Sequence, residues 1–158
     1  MTENMTMREL LSPQSVNASL VVTTKKDVLQ NISAAAAALI GQEVLSVFDV
    51  LWERERLGST GVGQGIAIPH GRVAGLKKVT GFFARLSQPI NFESIDDKPV
   101  DLVFLLLAPE SAGGDHLHAL ASVSRLLRDA KLCEQIRRAK DADAIYRLLT
   151  EASTAEAA

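Results

Sequence analysis

The chain has 158 residues, 47% of them apolar and 23% charged, with a formal net charge of −2. That length supports a hydrophobic core in one domain, and the near-neutral charge gives no electrostatic footprint for nucleic acid or an anionic membrane. Cys133, the single cysteine, excludes an internal disulfide and points to a reducing compartment.

Taken in chain order, residues 1–6 are polar and expected to fray, and Met1-Thr2-Glu3-Asn4 lacks the basic region and apolar core of a signal peptide. The most apolar runs, 34–40 and 100–107, fall short of the ~20 residues of a membrane span. A cytoplasmic protein with no membrane insertion is expected. Leu20-Val21-Val22 suggests a first short strand over 19–23. Thr24 then caps a helix with Asp27 three residues on, Val28, Ile32, Ala35 and Leu39 form its apolar stripe, and Gly41 ends it. A second helix is expected from Ser46, with Asp49 three residues on, to just before Gly58. Its stripe is Val47, Val50 and Leu51, and Arg54 falls in the middle of that stripe. A guanidinium there needs a partner, because burying it unpaired is costly. Trp52, on the same helix, reads as an exposed aromatic suited to a partner surface.

Residues 58–72 read GSTGVGQGIAIPHGR. Glycines at 58, 61, 63 and 65 make a flexible loop that can present backbone N–H groups to an anion. Ile66-Ala67-Ile68 reads as a buried strand end, and Pro69 removes a ladder donor so that His70 emerges at its tip. The loop is not a Walker A loop, since Ile66 and Ala67 follow Gly65 where Lys and Ser/Thr are needed. It also misses the dinucleotide fingerprint, whose sixth place holds Ile66. An imidazole at a strand end beside an anion-friendly loop suits a nucleophile toward a phosphoryl group.

Further on, 79–86 reads as a buried strand, 88–92 as a short extended piece and 96–99 as a turn. The run 100–107, broken by Asp101, reads as a mid-sheet strand covered on both faces. A loop with Gly113-Gly114 follows, and Asp115 is expected to cap a helix reaching about 129. Shorter helices are expected over 131–139 and 143–150, capped by Asp129 and Asp141, ahead of a loose tail at 151–158. Within the helix from Asp115, His116 shares the face of Leu120, Val123 and Leu127, whereas His118 turns to solvent. His116 thus faces inward in the first turn, where the dipole favours an anion, and His70, His116 and Arg54 are expected to converge. The spacings give no metal site: there is no third imidazole on that side and no ligand pair for Cys133. No nucleophile elbow marks a serine triad. The expected fold is an α/β (α+β) three-layer sandwich, a mixed β-sheet with helices on both faces, built as one domain over residues 1–158 with an ordered core at about 8–150.

Arg54-Glu55-Arg56-Leu57, the GSTGVGQGIAIPHG run, Pro89-Ile90-Asn91-Phe92, residues 98–103 and His116-Leu117-His118-Ala119-Leu120 together resemble a known family. They look like the fructose/mannitol-type enzyme IIA domains of the bacterial phosphotransferase system, and in particular its stand-alone nitrogen-related branch. The resemblance implies a phosphotransferase without cofactor or metal, in which His70 is the phosphorylated histidine, His116 the second active-site histidine and Arg54 a steadying arginine. Ser59, Thr60, Gly61, Gly63 and Gly71 would support the phosphate. It further implies an HPr-like phosphocarrier protein (NPr) as donor, and regulatory targets such as potassium-transport components or sensor kinases. A sugar-permease IIA feeding a IIB partner, and a non-catalytic regulatory binding module, are the alternative readings. The absence of a IIB or membrane IIC segment favours regulation.

Overall fold

The computed structural model describes residues 6–111 and 113–157, with side chains through Ala152. Among them six strands form one mixed sheet, β1 (Val16–Leu20), β2 (Gly61–Gly63), β3 (Ile66–Ala67), β4 (His70–Val73), β5 (Thr80–Ile90) and β6 (Val100–Pro109). Its order is β1-β5-β6-β3-β2, with β4 continuing on β6 beyond β3. β5 and β6 are antiparallel, whereas β1 on β5, and β3 and β4 on β6, are parallel.

β6 explains the layering. Its side chains alternate between faces: Leu102, Phe104, Leu106 and Ala108 enter one core, and Val103, Leu105 and Leu107 the other. The first core is closed by α1 (Met7–Leu10), α4 (Gly114–Leu127), α5 (Ala130–Arg138) and α6 (Ala142–Ala157). The second is closed by α2 (Lys25–Ile40) and α3 (Val44–Arg56). The expected three-layer arrangement of a mixed sheet between helices is the one observed. Local signals placed α2 well: the Thr24 side chain accepts the Asp27 N–H, and Gly41 ends the helix in the left-handed region at φ 70°.

Several boundaries differ. The first strand is Val16–Leu20, earlier than 19–23; Val21 is exposed and residues 21–24 are the connection that leads into the Thr24 cap. The buried face of α2 runs through Leu29, Ser33, Ala36 and Ala37 with Val28 and Ile32, and leaves Leu39 exposed. α3 begins at Val44, not Ser46, because the αL turn at Gly41 folds the chain straight back on α2. Its exposed Val44 and Leu45 lie outside the stripe the pattern suggested. The pieces expected at 79–86 and 88–92 are one strand, β5, whose register against β6 shifts between Arg85 and Ile90 and so accommodates Pro89. Asp115 lies inside the first turn of α4, with Gly113 at the N-cap. The tail expected to be loose continues α6 to Ala157, as its alanine-rich composition favours.

Phe104 is fully buried and meets Phe83 edge to face at 6.1 Å between ring centres. Phe104→Ala is expected to lower stability by about 3–5 kcal/mol, read as a lower urea midpoint at unchanged slope.

Candidate active site

The end of β6 carries the site. Leu106 donates its N–H to the Pro69 carbonyl at 2.9 Å, and His70 pairs with Leu106 in a new strand, β4, that starts after a break at Ile68-Pro69. His70 is therefore the first residue of its own strand, where the sequence pattern put it at the tip of the preceding one. In extended backbone residues two apart share a face, so Arg72 accompanies His70. Helix α3 crosses close to β4: a Cβ on Gly71 would lie 2.3 Å from Val50 Cγ1. The missing side chain at Gly71 lets Val50 seat there, and Arg54, one helical turn later, joins His70 in the cleft. The first turn of α4, which follows β6, supplies His116. Arg54, His70, Arg72 and His116 thus line one open cleft of about 490 Å³.

His70 is half-buried, and its Nδ1 lies 2.8 Å from the Ile68 carbonyl. A carbonyl can only accept, so in the neutral ring Nδ1 carries the proton and Nε2 holds the free lone pair. Burial pushes the His70 pKa below its ordinary 6.5; the Ile68 bond opposes this, the Arg54 charge adds to it, and the Glu55 charge opposes it. The net direction is down, so the ring is neutral at neutral pH. His116 stands edge-on to His70, 5.6 Å between ring centres at 69°. It is 7% exposed, and its Nε2 is buried without a hydrogen-bond partner. Burial, then the charges of His70 and Arg72, hold its pKa low as well. Arg54 Nη1 donates to the Gly58 carbonyl at 2.9 Å and Arg72 Nη1 to the Glu110 carbonyl at 3.2 Å. Each guanidinium has further N–H donors beyond these bonds. His118 is exposed, as expected.

The glycine-rich run is not an anion cradle. It is a hairpin, β2–β3, whose Gln64 and Gly65 turn at φ 61° and 82°. The Thr60 N–H and hydroxyl both donate to Glu55, the Gly61 N–H donates to Ser59 Oγ, and the Gln64 N–H donates to Asp96. Ser59 Oγ itself donates to the Phe92 carbonyl at 2.7 Å. A Cβ on Gly61 would meet Ser94 Oγ at 2.3 Å, and one on Gly63 would meet the Asp96 carboxylate at 3.2 Å. Close packing at Gly61 and a backbone φ of 102° at Gly63 account for those glycines within the fold itself. Of Ser59, Thr60, Gly61, Gly63 and Gly71, expected to support a phosphate, Gly71 is the one in the cleft wall. Trp52 is half-buried rather than free: it stacks on Phe48 at 5.8 Å, with Lys26 Nζ over its ring.

Two residues escaped the sequence reading. Arg72 was signalled by the i, i+2 spacing from His70. Glu55 lies four residues after Leu51 and eight after Val47, on the buried line of α3, and it is buried while Arg54 is half-exposed. Among the described residues no group of three or more His, Cys, Asp or Glu could hold a metal, and no helix is long and apolar enough to cross a membrane.

Residues 9–152 match the family described as phosphoenolpyruvate-dependent sugar phosphotransferase system, EIIA 2. The chain belongs to this family. Within it, a nitrogen regulatory protein of Bradyrhizobium diazoefficiens is 53% identical over 145 residues, covering 92% of this chain and 95% of that one. A nitrogen regulatory protein of Escherichia coli is 37% identical over 155 residues, covering 96% and 95%. The crystal structure of nitrogen regulatory protein IIA-Ntr from Neisseria meningitidis superposes with a TM-score of 0.86 at 36% identity, over 91% of this chain and 99% of that one. This EIIA 2 member therefore has its family's fold and a phosphotransfer role.

The seat of Val50 on Gly71 is testable by size. Gly71→Ala is expected to destabilise by about 1–3 kcal/mol through overpacking. Adding Val50→Ala should recover part of that loss in chemical denaturation, as coupled neighbours do.

Proposed function

We propose that this chain is a phosphoryl carrier of a nitrogen-related phosphotransferase system. In this reading His70 Nε2 accepts a phosphoryl group from the phosphohistidine of an HPr-like carrier protein (NPr). The state of His70 then tunes binding to regulatory targets, with potassium-transport components and sensor kinases as the implied class. The protein would act as one domain in the cytoplasm, without cofactor or metal.

The observation that carries the reading is the bond from His70 Nδ1 to the Ile68 carbonyl, which leaves Nε2 as the free nucleophile beside Arg54, Arg72 and His116. The step is an in-line displacement at phosphorus. The new P–N bond forms at His70 Nε2 as the P–N bond of the donor breaks and the donor imidazole leaves with the electron pair. The proton stays on His70 Nδ1 and remains donated to the Ile68 carbonyl, so the resulting phosphohistidine keeps that bond. Arg54 and Arg72 meet the charge on the equatorial oxygens with charge-assisted hydrogen bonds. The unpartnered Nε2 of His116, if it carries the ring proton, has a phosphoryl oxygen as its natural acceptor. Identity of about half the residues with a nitrogen regulatory protein, across nearly both full lengths, favours this branch over a sugar permease component.

With phosphoenolpyruvate, enzyme I and the carrier protein, wild-type chain is expected to take acid-labile phosphate, and His70→Ala none. Label retained in His70→Ala would remove His70 from the role. Arg54→Ala, Arg72→Ala and His116→Ala should fold yet transfer slowly. Losing one preorganised donor typically costs about 2.7–4 kcal/mol of transition-state stabilisation, whereas His118→Ala should match wild type. The pH profile follows from the neutral nucleophile. Because the folded pKa of His70 lies below 6.5, acceptance should hold at pH 6.5 and fall only as the imidazole protonates at lower pH. A rate already halved above pH 6.5, with the donor's own titration accounted for, would contradict that assignment.

A further inference from the structure

The proposed transfer step makes no use of a buried carboxylate one residue beyond Arg54. The Glu55 side chain is 3% exposed, accepts the Thr60 N–H at 2.9 Å and the Thr60 hydroxyl at 2.6 Å, and lies 3.0 Å from the Lys25 ammonium. Lys25 also bonds to Glu93 at 2.9 Å and lies 5.2 Å from the centre of the Phe92 ring. The first residue of α2, the last turn of α3 and the entrance to β2 are thus fastened at one point. Arg54 is tied into the same short loop through the Gly58 carbonyl. A buried charge with several partners is costly to expose or leave unpaired, which makes this joint stiff.

We propose that Glu55 is a positioning residue for phosphoryl transfer at His70, locking the last turn of α3 onto β2 so that Arg54 stays in the cleft and offsetting the arginine field at the imidazole. The proposal rests on the reading of His70 as phosphoryl acceptor. The charged and titratable groups around His70 are Glu53, Arg54 and Glu55 from α3, Arg72 from β4 and His116 from α4. Glu55 is the buried carboxylate among them, and its charge raises the His70 pKa where Arg54 lowers it. Lys25 stands beside Glu55 as counter-charge. Burial alone would lower the Lys25 pKa, and its bonds to Glu93 and Glu55 raise it instead.

The two partners give opposite signatures. In Glu55→Gln the negative charge is gone, so the His70 pKa, read from its ring resonances by NMR, should fall. Transfer from the phosphorylated carrier should slow by about tenfold to a hundredfold, the range expected when a reacting geometry loosens. In Lys25→Met the carboxylate loses its counter-charge while an unbranched side chain of similar length is kept, so the His70 pKa should rise. Loosening of the joint alone would move both variants the same way. Should Glu55→Gln not fold, Lys25→Met decides: a raised His70 pKa supports the proposal, and an unchanged or lowered one overturns it. A wild-type chain labelled on His70, beside a Glu55→Gln that transfers and titrates like it, overturns this proposal alone. A wild type that takes no label on His70 overturns the acceptor reading and this proposal with it.

Discussion

The fold turns on the need to cover β6 on both faces. A strand whose inward side chains alternate Leu102, Phe104, Leu106 against Val103, Leu105, Leu107 cannot leave either side to water. One helical layer must lie on each face, and the chain that follows the strand has to turn into α4 at its carboxyl end. The site is a by-product of that arrangement. β4 pairs with the last residues of β6, α4 begins just after them, and α3 packs down on β4. Three elements covering one strand therefore bring an imidazole each from β4 and α4 and a guanidinium from α3 to one cleft, where α/β sheets gather ligands.

The electrostatics of that cleft favour one protonation state. Two imidazoles with ring centres 5.6 Å apart would repel if both were charged, and burial and the neighbouring arginines weigh against even one charge. Cationic side chains beside a neutral ring form a place that is short of negative charge. On the proposed reading, the arriving phosphoryl group supplies it. The same logic explains why the Ile68 carbonyl matters: a neutral imidazole has two tautomers, and only a fixed acceptor at Nδ1 makes Nε2 the nucleophile in every molecule.

The parts of this architecture legible in the sequence were those set by short-range chemistry. Thr24 with Asp27, Gly41, and Asp129 each act on backbone groups within a few residues, and each ended or began a helix where expected. The inward placement of His116 and outward placement of His118 followed from helical periodicity, and the structure agrees. What was not legible was set by long-range contact. The start of α3 depends on how it folds back on α2. The register of β1 depends on β5. The glycines of the hairpin could be read as freedom for an anion, because nothing local reveals that Ser94 and Asp96 lie against Gly61 and Gly63. Glu55 was missed for a subtler reason: charged residues are rarely buried, so the stripe was drawn through Val47, Val50, Leu51 and Arg54, while its true line continues from Val47 and Leu51 to Glu55.

The hydrogen bonding of the glycine run changes what kind of phosphate site this would be. A backbone cradle holds an anion with fixed dipoles and little side-chain motion. Here the N–H groups of Thr60, Gly61 and Gln64 are spent on Glu55, Ser59 and Asp96, so on the proposed reading a phosphoryl group on His70 would be met by side-chain guanidiniums instead. Arg54 and Arg72 rest on the carbonyls of Gly58 and Glu110, in the loops that follow α3 and β6, and the exposed Leu57 and Leu117 line the same cleft as the two guanidiniums. A dianion is a far stronger acceptor than a peptide carbonyl. Drawing either guanidinium toward the imidazole would alter the charge of the cleft and the hold on those two loops together.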